Sequence, residues 1–278
     1  AGAVDLDESD AITLTDVDTN DGSITVDAGG LITATDVVAS GGSGDSVTLS
    51  TTTGGAVATL VTGADAVSIT ANAGDITIGS VTATLGTLGV TATAGSINDA
   101  ADDNTADFTA GGLISLTAQD EIGVLGSGSD LDLEFAAGSS VNVSTTGTGA
   151  IDLDGLGALT LSDVDTVNGA ITASSAGALT VTDVASGTNG NIVLSTSSGD
   201  ITGLATVNAG SGNVTLNSAG AIVDDGSSGT VITGGVLTAD AAGAITIDST
   251  VTSANISTSA AGAVDLDESD AITLTDVD

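Results

Sequence analysis

The sequence predicts an all-β protein, a parallel β-solenoid in which about three short strands form each coil of about 21 residues. Three observations support this fold class. Apolar and polar residues alternate, as in Val4-Asp5-Leu6-Asp7, which is typical of a half-buried strand. Glycine-led alternations recur at nearly constant spacing, and the chain is rich in Thr, Val, Ile and Gly, which are poor helix formers. Because one coil cannot bury its apolar face alone, neighbouring coils must stabilise one another.

The sequence also contains a much longer repeat, because Ala1 to Asp18 recurs unchanged at Ala261 to Asp278. We therefore interpret residues 1–260 as one tandem repeat unit and residues 261–278 as the start of the next identical unit. At about 21 residues per coil, one unit holds roughly 12 coils, and a rise of ~4.8 Å per coil gives roughly 60 Å of axis. The connections between parallel strands favour a right-handed β-helix.

The short period is clearest in the second half, where three series predict three strands per coil. The first series consists of alternations that start at Gly169, Gly190, Gly212, Gly234 and Ala254. The second starts at Gly177, Gly199, Gly220, Gly243 and Gly262. The third consists of Val184, Val207, Val231 and Val251. In addition, Gly2 to Ser40 aligns without gaps on Gly149 to Gly187, which indicates that the unit grew by duplication of smaller pieces.

Two segments interrupt the period and are predicted to be loops that bulge from the coil. The first, Asn98 to Phe108, is acidic, and the second, Gly123 to Ser129, is rich in Gly and Ser. Thr145 to Thr148 and Asp225 to Gly229 are lesser candidates. Directly after the second loop, the alternation from Asp130 to Phe135 predicts a strand with its three acidic side chains facing outward.

Composition restricts the partners that this chain can bind. Its 278 residues include 37 acidic residues and no Lys, Arg or His, which argues against binding to nucleic acid and to anionic membranes. No apolar run approaches ~18 residues, so we expect no membrane span. Apolar residues make up 41% of the chain, but Phe108 and Phe135 are its only aromatic residues, which predicts a thin core of small branched side chains. Without Cys there is neither a disulfide nor a thiolate metal site.

The residue types also argue against an enzyme, because a Ser or Thr nucleophile would have no usual base beside it. No cofactor is certain, but clustered carboxylates make Ca²⁺ a candidate ligand. The candidate calcium ligands are Asp16, Asp18, Asp21, Asp99, Asp102, Asp103, Asp107, Asp163 and Asp165. Stacked coils would bring acidic residues of adjacent turns to about 5 Å, which is unfavourable unless a cation lies between them. The simpler alternative, which we prefer, is a solvated acidic face that keeps filaments apart.

Three runs in the chain carry a family resemblance, namely GSITVDAGGLITATDV, GNVTLNSAGAIVDD and TAGGLISLTAQDEIGVLGSG, and the segment from Gly95 to Ala118 is the more distinctive part. They resemble the repeat regions of giant secreted bacterial adhesins of the filamentous-haemagglutinin type. The resemblance covers essentially the whole chain and concerns the shaft of such proteins. It implies a right-handed β-helical shaft that projects from the cell.

The sequence therefore predicts a structural repeat of a giant extracellular fibre or adhesin stalk, with a mechanical or spacer role at the cell surface. The expected partners are neighbouring copies of the same repeat along the fibre axis, with any carbohydrate or cell-surface target bound elsewhere in the full-length protein. Two alternatives stay open at this point. One is an adhesive module that binds Ca²⁺ or carbohydrate, and the other is a separate subunit that polymerises end to end.

Overall fold

The chain folds as a parallel β-solenoid with about 21 residues and three strands per turn. The computed structural model describes residues 2–101, 103–125, 130–136, 138–227, 229 and 231–278. These residues form about 13 turns and include no helix, which confirms the predicted fold class. The described part of the chain accordingly offers no helix with the length and apolarity needed to cross a bilayer. The right-handed sense of the coil stays a prediction.

Two compact units divide the chain, Ala1–Thr146 and Gly147–Asp278. In the first unit the strands fall into three parallel stacks, in which each strand pairs with its equivalent one turn later. The first stack contains β1 (Val4–Glu8), β4 (Ile24–Ala28), β7 (Val47–Thr51), β10 (Val67–Ala71), β13 (Leu88–Ala92), β16 (Ile114–Ala118) and β18 (Val141–Thr145). The second contains β2 (Ile12–Leu14), β5 (Ile32–Ala34), β8 (Ala56–Ala58), β11 (Ile76–Ile78) and β14 (Ile97–Asp99). The third contains β3 (Val17–Thr19), β6 (Val37–Ala39), β9 (Val61–Gly63), β12 (Val81–Ala83), β15 (Phe108–Ala110) and β17 (Leu131–Phe135).

The second unit repeats this plan, but three of its strands are long enough to contribute to more than one stack. These long strands are β20 (Leu159–Thr166), β29 (Ile232–Ala241) and β30 (Ile245–Thr258). The other strands are β19 (Ile151–Gly155), β21 (Ile171–Ser175), β22 (Leu179–Val181), β23 (Asp183–Ser186), β24 (Ile192–Thr196), β25 (Ile201–Leu204), β26 (Thr206–Asn208), β27 (Val214–Ser218), β28 (Ile222–Asp224), β31 (Val264–Glu268) and β32 (Thr273–Val277).

The three predicted series can be compared directly with the strand pairing of the second unit. The second series is confirmed, because Leu179, Ile201, Ile222, Ile245 and Val264 pair successively, each two residues after its predicted glycine. The first series is confirmed for its first three members, because Ile171, Ile192 and Val214 pair successively, each two residues after its predicted glycine. Its last two members are wrong in register, because Val214 pairs with Leu237, three residues after Gly234, and Leu237 pairs with Ala254 itself.

The third series is wrong in its last two members. Val184 pairs with Val207 as expected, but Val207 then pairs with Ile232 instead of Val231, and Ile232 pairs with Ser249 instead of Val251. The reason is that β29 and β30 run as continuous strands past a corner. Around that corner both Val231 and Val251 are also buried, so hydrophobicity does not identify the residue that is in register.

The sequence similarity between Gly2 to Ser40 and Gly149 to Gly187 has a structural counterpart. β1, at Val4, and β19, at Ile151, occupy aligned positions, and so do β4, at Ile24, and β21, at Ile171. Each aligned strand pairs with the next turn of its own unit in the same register. The duplicated sequence therefore forms the same supersecondary arrangement in each unit.

The core of each unit consists of aliphatic ladders. On the first stack of unit 1, for example, Val26, Leu49 and Ile69 are at most 1% exposed, and each pairs with the next at the inward positions of successive turns. Small branched side chains fill this space because the three stacks lie close together around a narrow interior. The predicted thin core is thus present, and Phe108 is its one fully buried ring among the described residues.

Buried hydroxyl groups close several corners of the coil. The last inward position of many strands is Ser or Thr, and its hydroxyl donates a hydrogen bond to the carbonyl oxygen three residues later. Thr166 bonds Gly169 at 2.8 Å, Thr196 bonds Gly199 at 3.0 Å, and Ser218 bonds Ala221 at 2.9 Å. Thr166, Thr196 and Ser218 are themselves buried, so each of these bonds satisfies both the hydroxyl and a backbone carbonyl where the strand ladder ends.

The acidic loop predicted at Asn98 to Phe108 is confirmed, with somewhat narrower bounds. β14 ends at Asp99 and β15 begins at Phe108, whereas one turn earlier only Gly79 and Ser80 separate β11 from β12. Pairing is regular on both sides of the insertion, at Ile76 with Ile97 and at Val81 with Phe108. The other main predicted loop, Gly123 to Ser129, lies mostly outside the described residues.

Candidate functional site

Negative charge covers the outer surface, and it is the feature most relevant to binding. The chain carries 37 carboxylates without a single Lys, Arg or His, so no side chain can form a salt bridge with them. Some acids lie directly against acids of the next turn, as Asp7 does against Asp27 and Asp248 against Asp267. Like charges at directly opposed positions destabilise a sheet, so such pairs need a compensating interaction or screening by salt.

Of the first predicted calcium cluster, the structure places Asp16, Asp18 and Asp21 on the exposed surface around β3. Asp18 lies opposite Val38 of the next turn, and the backbone N–H of Val17 donates to the carbonyl of Asp36. Asp16 and Asp36 directly precede the paired residues Val17 and Val37, so these two acids occupy equivalent positions on adjacent turns, whereas Asp18 faces no acid of the next turn.

The second predicted cluster is split by the fold. Asp103 is exposed, and hydrogen bonds from the hydroxyl and amide of Thr105 hold the pKa of its carboxyl below the usual value. Asp107, in contrast, is only 2% exposed. The structure brings it next to Asp99 and Asp132, and Asp102 lies outside the described residues.

The environment of Asp107 explains why a carboxyl group can lie inside this fold. Burial, and then the nearby charges of Asp99 and Asp132, raise the pKa of Asp107 to about 8, although a hydrogen bond from the Asp132 amide opposes this rise. That amide donates to Oδ2 of Asp107 at 3.0 Å. The charged form of Asp107 is therefore disfavoured in this environment.

Asp132 itself contradicts the prediction that the acids of β17 face outward, because it is 1% exposed. Asp107 and Asp132 are neighbours on adjacent turns, since Phe108 pairs with Leu133. Asp132 thus lies beside the buried Asp107, whereas Glu134 on the same strand stays exposed. The alternation of β17 alone does not distinguish these two positions.

The third predicted cluster does come together. Asp163 contacts Asp165 through a side-chain hydrogen bond, and burial together with this neighbour raises the pKa of Asp165 to about 6. Asp183 is the residue of the next turn that lies beside Asp163, since Val164 pairs with Val184. Burial and the charge of Asp163 raise the pKa of Asp183 as well. The expected approach of acids from adjacent turns therefore occurs here.

These approaches do not amount to a metal centre in the part of the chain that the structure describes. No group of three or more acidic side chains has the arrangement of a metal-binding site among those residues. The nine calcium candidates therefore gain no support as a set, and calcium binding stays a prediction.

Sequence reasoning missed a set of polar side chains that join successive turns. Asn191 Oδ1 accepts the N–H of Asn213 at 2.9 Å, and Asn213 Oδ1 in turn accepts the N–H of Val236 at 3.2 Å. Asp45, Asp75 and Asp200 accept amides of adjacent turns in the same manner, at 2.7 to 2.9 Å. The signal available in the sequence was an Asn or Asp just before a strand at nearly one-turn spacing, as at Asn168, Asn191 and Asn213.

Comparison with known proteins identifies no relative. No family model matches the chain. No characterised protein matches it significantly, and no solved structure does so either. The structure by itself defines the class: a tandemly repetitive parallel β-solenoid, compatible with the repeat region of a β-helical protein.

Proposed function

We propose that this chain is a structural repeat of a giant extracellular fibre or adhesin stalk of the filamentous-haemagglutinin type, with a mechanical role at the cell surface. The observation that carries the proposal is the in-register stacking of the turns. Each turn presents the same backbone ladder and the same aliphatic row as the turn before it, as in the pairing of β4, β7 and β10. A fold built in this way can be extended by further identical turns without a new core.

The mechanical role follows from how the turns are held together. In the first stack each turn pairs five residues with the next, and the other stacks add shorter ladders. Corner amides of one turn are also bound by Asn and Asp side chains of its neighbour. A load along the axis is therefore shared by many hydrogen bonds and by a continuous apolar interior, and the role involves no catalysis.

The acidic surface suits a fibre outside the cell. Exposed strands tend to associate laterally, but surfaces that carry one sign of charge repel each other, so neighbouring shafts stay apart. The absence of Lys and Arg also leaves no cleavage site for proteases that require those residues. Adhesion to a surface, in this proposal, belongs to other parts of the full-length protein.

Small-angle scattering of chains with one, two and three consecutive repeats tests the proposal. Each added repeat should lengthen the particle by roughly 60 Å at constant cross-section, because ~4.8 Å separates successive turns. Antibody labelling of intact source cells tests the location, and the mass of the natural protein on a denaturing gel separates a covalent array from a polymer of subunits. A particle that grows in all directions with added repeats, or an antigen found only inside the cell, would contradict the proposed role.

A further inference from the structure

The duplicated segment supplies an internal view of how one repeat meets the next. Residues 264–268 repeat the sequence of residues 4–8, VDLDE, so β31 and β1 are chemically identical strands. β31 lies on the preceding turn, with Val264 opposite Ile245 and Glu268 opposite Ser249. β1, by contrast, pairs only with the following turn among the described residues, through Val4 and Ile24. Among the described residues the other edge of β1 has no strand partner, and it is called the open edge below.

The backbone pattern at β31 is the one that continues the solenoid. The N–H of Ile245 donates to the carbonyl of Ala263 at 2.9 Å, as the N–H of Val4 donates to Ser23 at 2.9 Å. The N–H of Ser269 donates to the carbonyl of Ser249 at 3.1 Å, just as the turn after β4 bonds back to the end of β1. The contact between 245–249 and VDLDE is thus an ordinary step between turns. Further along the duplicated segment, Val277 lies on Ile256 of the same preceding turn.

One carboxyl group distinguishes the covered copy from the open one. In both copies the first glutamate oxygen, Oε1, accepts N–H bonds from its own turn: from Asp10 at 3.3 Å in Glu8 and from Asp270 at 3.4 Å in Glu268. Only Glu268 uses Oε2, which accepts the hydroxyl of Ser249 at 2.7 Å and the amide of Val251 at 3.3 Å.

The partners of Glu268 are placed for this contact. Ser249 is 1% exposed, so its hydroxyl depends on a protein acceptor. Glu8, the same residue in the open copy, is exposed, and its Oε2 accepts no hydrogen bond within the described part of the chain.

We propose that the open edge formed by Val4 to Asp10 binds the Ile245–Val251 segment of a second copy of this repeat, with Glu8 Oε2 accepting hydrogen bonds from Ser249 and Val251 of that copy. This repeat junction rests on the proposed fibre, since it names the partner that covers the end of each unit. It brings Asp7 of one copy against Asp248 of the other, as Asp267 lies against Asp248 in this chain. Salt should therefore strengthen the junction by screening these charges.

A disulfide tests the junction directly, because the chain has no cysteine of its own. The test uses a chain of two repeats, residues 1–260 followed by residues 1–278, with T246C in the first repeat and D5C in the second. Thr246 pairs with Asp265, the equivalent of Asp5, and neighbouring positions in parallel strands are within reach of a disulfide. We expect an internal cross-link after mild oxidation. The control carries T246C and D5C both in the first repeat and should form none.

The glutamate is tested by placing one substitution at two positions of the same two-repeat chain. E8Q in the second repeat removes the charged acceptor at the junction, and we expect the Val251 amide of the first repeat to exchange about tenfold faster. E8Q in the first repeat, where the edge is open, should leave that amide unchanged. Equal effects at both positions, or no effect at either, would overturn the assignment of Glu8.

The outcomes separate this inference from the proposed function. A folded two-repeat chain without the cross-link would refute the junction even if the particle lengthens with each repeat. A cross-link in a chain that does not lengthen would keep the junction and refute the fibre. If the two-repeat chain fails to fold by circular dichroism, the pair T246C and D265C in the 278-residue chain gives the same test, and absence of that disulfide would overturn the junction.

Discussion

Replacing Asp107 by asparagine should stabilise the first unit at neutral and alkaline pH. The carboxyl ionises near 3.8 in an unfolded chain, whereas burial raises the pKa of Asp107 to about 8 in the folded chain. Between these pH values the folded chain holds the extra proton, so the free energy of unfolding falls as the pH rises. Asparagine resembles the neutral acid and keeps an oxygen for the hydrogen bond from the Asp132 amide.

The magnitude follows from the difference between the two pKa values. Each pKa unit corresponds to about 1.36 kcal/mol, so ionising Asp107 inside the fold costs at most about 6 kcal/mol. Relaxation of the acidic loop and entry of water reduce this limit, and we expect D107N to gain on the order of 2 to 3 kcal/mol near pH 9 relative to its effect near pH 4.

Amide exchange and carboxyl NMR measure this effect locally, which matters because a repeat protein need not unfold in one step. The amides of Val81 and Asp132 donate to the backbone and side chain of Asp107 at 2.7 and 3.0 Å, so their exchange reports on the site. D103N, in the same loop but exposed, is the control and should gain no stability as the pH rises. Parallel pH dependence of D107N and the unsubstituted chain would refute the reasoning.

Four further predictions follow from the packing. In urea titrations, G187A should destabilise the second unit by several kcal/mol, because a Cβ at this position would lie 1.6 Å from the Val167 carbonyl oxygen. The control G89A should be neutral or slightly stabilising, because a Cβ there would have no atom within 4 Å. In the same titrations, I69A should lower the free energy of unfolding by about 2 to 5 kcal/mol, because Ile69 is fully buried. The control T70A, on the outward face of the same strand, should lower it by less than about 0.5 kcal/mol. T196V should cost about 1 kcal/mol, measured by exchange of nearby amides, because the buried Thr196 hydroxyl donates to the Gly199 carbonyl at 3.0 Å and accepts the Ala219 amide at 3.1 Å. T48V, at an exposed strand position, should have little effect. D163N should lower the pKa of Asp165 from about 6, but not to its ordinary value, because Asp165 stays partly buried. An unchanged NMR titration of the Asp165 carboxyl would contradict the contact between the two acids.

The fold was predictable because its information is local and repeated. In the second series each strand starts two residues after a glycine, and the structure pairs all five members. Alternation identifies the inward side, and the spacing identifies the partner one turn away. The predicted register failed along β29 and β30, where both the first and the third series are wrong in their last two members. Buried apolar residues such as Val231 and Val251 follow one another closely there, so hydrophobicity does not identify the paired residue.

The candidate site was less predictable, because it depends on what covers each acid. Asp103 and Asp107 belong to one acidic run in the sequence, yet one is exposed and the other is buried against Asp132. Asp107 directly precedes Phe108, which pairs with Leu133, whereas Asp103 lies within the insertion between β14 and β15. The role of Asn191 and Asn213 was missed for a related reason, since an amide that bonds the next turn has the same sequence signature as an ordinary turn residue.

The insertion after Asp99 shows where this architecture can accept additional residues. Eight residues separate β14 from β15 where two separate β11 from β12, yet pairing resumes in step on both sides. Corners of the coil are thus positions at which new loops can be grafted outward while the ladders remain undisturbed. Variation among related shafts should therefore concentrate at such corners, where a protruding segment can acquire specificity for a surface while the strands themselves stay constant.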